Sequence, residues 1–120
     1  MNELTEKTIG RSYAVANTLG HGFLEKVYEN ALAVELRNAG CKVEQQKGIV
    51  VNYHGSVVGE YVADLLVDDC VIVELKTVKA INDIHLAQAL NYLKATGLRI
   101  CLLINFGNPK VEIKRVINGS

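Results

Sequence analysis

The stretch YVADLLVDDCVIVELK, residues 61–76, decides how this chain is read. Two runs of aliphatic and β-branched residues flank Asp68-Asp69-Cys70, which predicts a hairpin with strands at Val57–Val67 and Val71–Val78. Three charges stand inside it: Asp64, Glu74 and Lys76. Glu74 and Lys76 are two apart on a strand, so they project from one face. With a three-residue loop, Val67 pairs with Val71 and Asp64 falls opposite Glu74, about 5 Å away at Cβ and on the same side. A two-residue loop would pair Asp64 with Val73 and send the two acids to opposite faces. The site turns on that register.

Working outward, a strand at Lys42–Tyr53 precedes the hairpin and joins it through His54-Gly55. Upstream, Ile9, Tyr13, Ala16 and Leu19 recur at helical spacing and predict a helix over Thr5–Leu19. Gly20-His21-Gly22 breaks it. A second helix follows over Phe23–Ala39, with Leu24, Tyr28, Ala31, Leu32 and Ala39 on its stripe. Downstream, Asn82 or Asp83 caps a third helix reaching Thr96, which Gly97 closes. Leu98–Asn105 reads as a strand buried on both faces, and Val111–Ile117 as a last strand. The order ααβββαββ is an α/β class with a central mixed sheet flanked by helices.

Length and composition agree with one unit. The 120 residues, 49% apolar and 22% charged, predict a single domain spanning 1–120. Thirteen bases balance thirteen acids, so no overall basic excess announces a nucleic-acid binder. The acids crowd residues 41–80, six against four bases, whereas residues 81–120 carry five bases and two acids. Lys94, Arg99, Lys110, Lys114 and Arg115 form that basic third, either as phosphate contacts or as a solvated surface. Charges in the opening residues speak against a signal peptide, and no apolar run reaches membrane-spanning length. Cys41, Cys70 and Cys101 are odd in number and about thirty residues apart, which suits reduced thiols. The expectation is a cytoplasmic protein with no membrane partner.

Chemistry concentrates in the hairpin. Two opposed carboxylates among Val62, Leu66, Ile72 and Val78 repel unless a positive charge sits between them. A hard divalent cation answers both the repulsion and the burial, and two carboxylates plus water suit Mg²⁺. Lys76, on the same face, would orient or help deprotonate an attacking water, or offset charge growing on a phosphate. The bland alternative is an exposed hairpin whose Lys–Glu pair contributes little. Glu74 argues against it by interrupting Val71–Leu75, which otherwise reads as a buried strand. Asp68 and Asp69 are turn acids.

Helical residues offer additions. Glu25 lies at the edge of the second helix's stripe and Glu35 near its centre; each is either a third ligand or a solvated acid. Gln88 and Tyr92 are four apart and share a face with His85, fit for a phosphate contact, for supporting a metal site, or for a helix-capping or interface role. His21 is a lone loop histidine.

These residues carry a family resemblance. Gly22-Phe23-Leu24-Glu25-Lys26-Val27-Tyr28 matches the motif that names the GxxExxY proteins. Asp64 followed by Glu74-Leu75-Lys76 resembles the active-site pattern of the PD-(D/E)xK nuclease superfamily, although Ala63 stands where many members have Pro. Gln88 with Tyr92 is similar to the Gln–Tyr pair of the RecB-like branch, and Leu90–Gly97 and Leu103–Gly107 also look like this family. The likeness runs from Thr5 to Ile117. It implies a restriction-endonuclease-like αβββαβ core and a Mg²⁺ site, with Mn²⁺ as a substitute. By that implication Asp64 and Glu74 are ligands, the Leu75 carbonyl is a further one, Lys76 is the catalytic lysine, and Glu25 is the acid from the first core helix. The expected activity is phosphodiester hydrolysis in nucleic acid, DNA ahead of RNA, by a homodimer or with a protein partner. The alternative is a non-catalytic binding or assembly module that keeps the nuclease fold.

Overall fold

The computed structural model describes residues 2–119; Met1 and Ser120, the ends of the expected 1–120 unit, lie outside the described residues. The chain runs α1 (Asn2–Leu19), α2 (Glu25–Asn38), β1 (Val43–Tyr53), β2 (Ser56–Val67), β3 (Val71–Lys76), α3 (Asp83–Thr96), β4 (Ile100–Asn105) and β5 (Glu112–Ile117). That is the expected order, with ends moved by a few residues. One sheet holds the strands in the order β1-β2-β3-β4-β5. β1, β2 and β3 are antiparallel, β3 and β4 are parallel across α3, and β5 returns antiparallel to β4.

Helices cover both faces. Val15 of α1 and Tyr28, Leu32 and Leu36 of α2 pack with Leu65, Val67, Val73, Leu75 and Ile104 on one side. On the other, Ala89, Tyr92 and Leu93 of α3 pack with Ala63, Leu66, Ile72, Cys101 and Leu103. β3 and β4 are therefore buried on both faces, the reason their sequences read as near-continuous apolar runs. No helix among the described residues is long and apolar enough to cross a membrane. Cys41, Cys70 and Cys101 are free thiols.

Both turns have the expected form. His54 and Gly55 take positive φ (+49° and +80°), as a two-residue hairpin requires. The β2–β3 loop has three residues, with Val67 paired to Val71. Asp68 accepts from the Lys42 N–H at 2.7 Å and returns its own N–H to the Lys42 carbonyl at 2.8 Å. It is a turn acid, as read.

Two helix faces differ from the sequence reading. α1 turns Thr5, Thr8, Ser12 and Val15 inward, leaving Tyr13 43% exposed. Thr8 and Ser12 donate to the carbonyls of Leu4 (2.8 Å) and Ile9 (2.6 Å), so small hydroxyls are buried without losing a hydrogen bond. In α2, Leu24 is the N-cap and 80% exposed, and Leu36 takes the buried place expected of the stripe's ends. In α3, Asn82 Oδ1 accepts from the N–H groups of Ile84 and His85 while His85 Nδ1 accepts from the Asn82 N–H. His85 is thus spent on the cap, not on the Gln88–Tyr92 face.

Candidate active site

Asp64 sits where the backbone ladders on both of its sides lapse. β1 and β2 pair Gln45 with Leu65 and then Lys47 with Ala63, passing over Gln46 and Asp64. β2 and β3 stop pairing at Leu65 and Val73. Gln46 has φ +55°, a left-handed backbone that long side chains rarely adopt. The sheet changes face here: Ala63 and Leu66, three apart, both pack towards α3, while Leu65 packs towards α1 and α2. Regular alternation would have placed Ala63 with Leu65.

Side chains replace the missing ladder. The Asp64 N–H donates to Glu74 Oε1 at 3.2 Å, and the Leu75 N–H donates to Asp64 Oδ2 at 2.7 Å. The count from the three-residue loop therefore holds, and the two acids are across from each other. Burial, then the negative charge of Asp64, pushes the Glu74 carboxyl up to about 8. Asp64 is raised as well, first by burial and then by the charge of Glu29, against the pull of the Leu75 N–H. Tyr92 feels the same field: burial and the charges of Glu74 and Asp64 push its phenol up to about 12.

Glu25 opens α2, and a tyrosine holds that opening in place. The Tyr28 hydroxyl donates to the Gly20 carbonyl at 2.7 Å and accepts from the Phe23 N–H at 3.2 Å. Its ring stacks on Phe106, 4.6 Å between centroids. The loop 20–23 is thus pinned to the core, and Glu25 is set near Asp64 and Lys76. Burial and then the Asp64 charge raise its carboxyl, while Lys76 lowers it. Glu35 does not join the site; it pairs with Arg11 of α1 at 3.4 Å. His21 is exposed in the loop.

One acid escaped the sequence reading. Glu29, only 3% exposed, accepts from Gln46 Nε2 (2.7 Å), Gln45 Nε2 (2.8 Å) and Lys26 Nζ (3.0 Å). It fixes the irregular part of β1 against α2 and adds its charge to the field at Asp64. Its signal was its place one turn after Glu25, beside the buried Tyr28.

The end of β3 is clamped from β4. The Lys76 carbonyl accepts from the Phe106 N–H at 2.8 Å. Asn105, fully buried, accepts from the Val78 and Gly107 N–H groups and donates to the Val78 carbonyl and to Glu112. Gly107 lies so close to Thr77 and Val78 that a Cβ there would meet the Val78 carbonyl oxygen at 2.3 Å. Lys76 itself makes no ion pair within 4 Å among the described residues. Gln88 and Tyr92 line a groove between α3 and the β1–β2 hairpin, where Tyr92 meets Tyr61 at 5.8 Å between rings. Lys94, Arg99, Lys110, Lys114 and Arg115 are all exposed.

The donor set fits a hard divalent cation. Asp64 and Glu74 are oxygen donors whose proton affinities are raised first by burial and then by neighbouring negative charge, and such a cation offsets both. Among the described residues no three His, Cys, Asp or Glu side chains gather as a ready metal cluster.

A mixed sheet between helices, with opposed acids on two central strands and a lysine two residues beyond one of them, defines a nuclease-fold α/β domain. The sequence agrees: a profile of the PD-(D/E)XK nuclease superfamily matches residues 2–116, and the chain belongs to that superfamily. The fold is similar to that of SSO0001 (TM-score 0.61, 18% identity, 99% of this chain and 60% of that one). It is also similar to an alkaline exonuclease from Laribacter hongkongensis (TM-score 0.54, 14% identity, 96% of this chain and 82% of that one). The chain thus spans about 60% of the length of SSO0001. Among curated proteins none matches the sequence.

Proposed function

We propose that this protein is a Mg²⁺-dependent nuclease, with Mn²⁺ as a substitute, hydrolysing phosphodiester bonds in nucleic acid, DNA ahead of RNA. The observation that carries the reading is the Asp64–Glu74 pair, each acid hydrogen-bonded to the other strand's main chain at a lapse in the sheet, with Lys76 beyond. Asp64 and Glu74 would hold the cation, with the Leu75 carbonyl and Glu25 completing its surroundings together with water. When bound, the cation supplies Lewis-acid activation of water and of the scissile phosphate. Lys76 offsets the charge that grows on the phosphate oxygens. Gln88 and Tyr92 steady the nucleic acid beside the acids. The GxxExxY motif gains a physical reason here, since Tyr28 pins the loop 20–23 that leads into α2, which Glu25 opens.

We place this activity in one domain over 1–120, working in the cytoplasm as a homodimer or with a protein partner. Net neutrality supports the need for a partner, because the chain brings little charge of its own to a phosphate backbone. The second reading, a binding or assembly module without catalysis, is favoured by one observation: the lack of a ready three-residue cluster around Asp64 and Glu74 among the described residues. A panel of single- and double-stranded DNA, RNA, branched and nicked substrates separates the two. Mg²⁺-dependent cleavage by wild type, lost in Lys76→Ala, supports the nuclease. Cleavage unchanged by that substitution marks a contaminant and favours the module.

A further inference from the structure

The β1–β2 hairpin outruns the sheet. β1 and β2 have 11 and 12 residues where β3 has 6, and β2 leaves β3 at Leu65. Residues 47–62 therefore project roughly 20 Å past the ladder as a two-stranded arm. Between this arm and α3 lies a groove of about 700 Å³, within the range of sites that seat small ligands. Its polar lining is unusual in composition: two tyrosines (Tyr61, Tyr92), three amides (Asn52, Gln88, Asn91), one cation (Lys94) and no acid. Tyr61 is half-exposed on the arm, with its ring 5.8 Å from that of Tyr92, and Tyr92 is the residue that reaches the field of Asp64 and Glu74. At the arm's tip a second aromatic pair, Tyr53 and His54, stands exposed with rings 4.3 Å apart.

Each part of this lining answers a part of an unpaired nucleotide. Aromatic faces stack on bases of any sequence, amide side chains reach base edges that a duplex hides, and a lysine meets the backbone phosphate. A blunt duplex keeps its internal base faces stacked on one another and exposes only those of its terminal pairs. We infer that the arm–α3 groove seats unpaired nucleotides of a single strand, stacked on Tyr61, and feeds that strand to the carboxylates; this rests on the nuclease reading and names its substrate class.

The test is fluorescence anisotropy with a labelled oligothymidylate and a blunt duplex of equal length, in EDTA so that no strand is cut, on wild type, Tyr61→Ala and Tyr61→Phe. The single strand binds more tightly than the duplex, Tyr61→Ala weakens it about 5- to 150-fold, and Tyr61→Phe stays close to wild type because the ring is kept. Asn91→Ala, on α3 and exposed, provides a second loss should Tyr61→Ala not fold by circular dichroism. Equal binding of strand and duplex, or strand binding untouched in both Tyr61→Ala and Asn91→Ala, overturns the inference. So does a dimer that Tyr61→Ala dissolves in sedimentation without any strand binding, which would assign the groove to a second copy. Cleavage assays with Mg²⁺ keep the two readings apart. Cleavage that ignores both strandedness and Tyr61→Ala overturns the groove and leaves the nuclease standing. Tyr61-dependent strand binding without cleavage of any substrate supports the groove and overturns the nuclease.

Discussion

Asp64 and Glu74 each bond to the other strand's main chain: the Asp64 N–H donates to Glu74 Oε1, and Asp64 Oδ2 accepts from the Leu75 N–H. An ordinary antiparallel pair would spend those amides on carbonyls. Here the carboxylates take them, which fixes both acids and leaves their charges facing each other. Asp64→Asn keeps an acceptor for the Leu75 N–H and removes one charge. Calorimetric titration with Mg²⁺ or Mn²⁺ is expected to show affinity at least about tenfold weaker than wild type, because a neutral amide is a poor ligand for a hard cation. Equal affinity in the two proteins would remove Asp64 from the metal site.

The pair also sets a pH dependence. Glu74 is raised from its ordinary value to about 8, so between about pH 4.5 and 8 the folded chain binds a proton that the unfolded chain releases. Its contribution to stability is complete below the unfolded value and fades as pH rises through 8. In EDTA, thermal unfolding should therefore shift down as pH climbs from 5 to 9, on the order of 5–10 °C. Glu74→Gln should flatten that slope and unfold at a higher temperature than wild type at pH 9. A slope of equal size in wild type and Glu74→Gln would mean that another group causes it.

The sequence held more of the site than of the helices around it. Asp64, Glu74 and Lys76 could be set on one face because strand periodicity and a three-residue loop are local features, and the loop is as counted. The lapse at Gln46 and Asp64 was not legible, because a left-handed glutamine has no sequence mark and arises from bonds to Glu29 on a distant helix. Glu29 was hidden for the same reason: its partners Gln45 and Gln46 lie sixteen and seventeen residues on. On α1, apolar periodicity pointed to Tyr13, yet the buried face is Thr5, Thr8 and Ser12, and the Thr8 and Ser12 hydroxyls satisfy themselves on the helix backbone. Apolar patterning cannot see a face that is buried because it is small.

The Lys76 charge acts on Glu25, Asp64 and Glu74, and among the described residues Lys76 makes no ion pair, so its removal should affect reaction more than folding. Lys76→Ala is expected to lower kcat about 10²–10³-fold on the best nucleic-acid substrate, with KM changed much less. Its Mg²⁺ affinity should match or exceed wild type, since a repelling charge has gone. A rise in KM at constant kcat would make Lys76 a binding residue only.

Tyr28 ties the glycine loop to the core through its hydroxyl and an edge contact with the Phe23 ring, 6.2 Å between centroids, while its own ring is stacked on Phe106. Tyr28→Phe keeps the stack and strands the Gly20 carbonyl and the Phe23 N–H. The expected cost is about 1–3 kcal/mol in urea unfolding. Proteolysis should then cut the loop 20–23 sooner than in wild type, and cleavage activity should fall with the placement of Glu25. Unchanged loop protection would show that the stack suffices.

Gly107 decides how closely the chain leaving β3 can approach the end of β4. A methyl there would lie 2.3 Å from the Val78 carbonyl oxygen and 2.7 Å from its nitrogen, both main-chain atoms that cannot swing aside. Asn105 holds the same segment from beneath through the Val78 N–H and carbonyl, so separating the two stretches breaks hydrogen bonds that are otherwise met. Gly107→Ala should therefore cost about 2–3 kcal/mol, at the upper end of overpacking penalties, read as a lower urea midpoint at constant slope. Because the Lys76 carbonyl accepts from the Phe106 N–H, the same shift should reach the end of β3. Activity under native conditions is expected to fall in Gly107→Ala even where the protein is fully folded. A variant that loses stability but keeps full activity would show that the end of β3 holds Lys76 in place without this clamp.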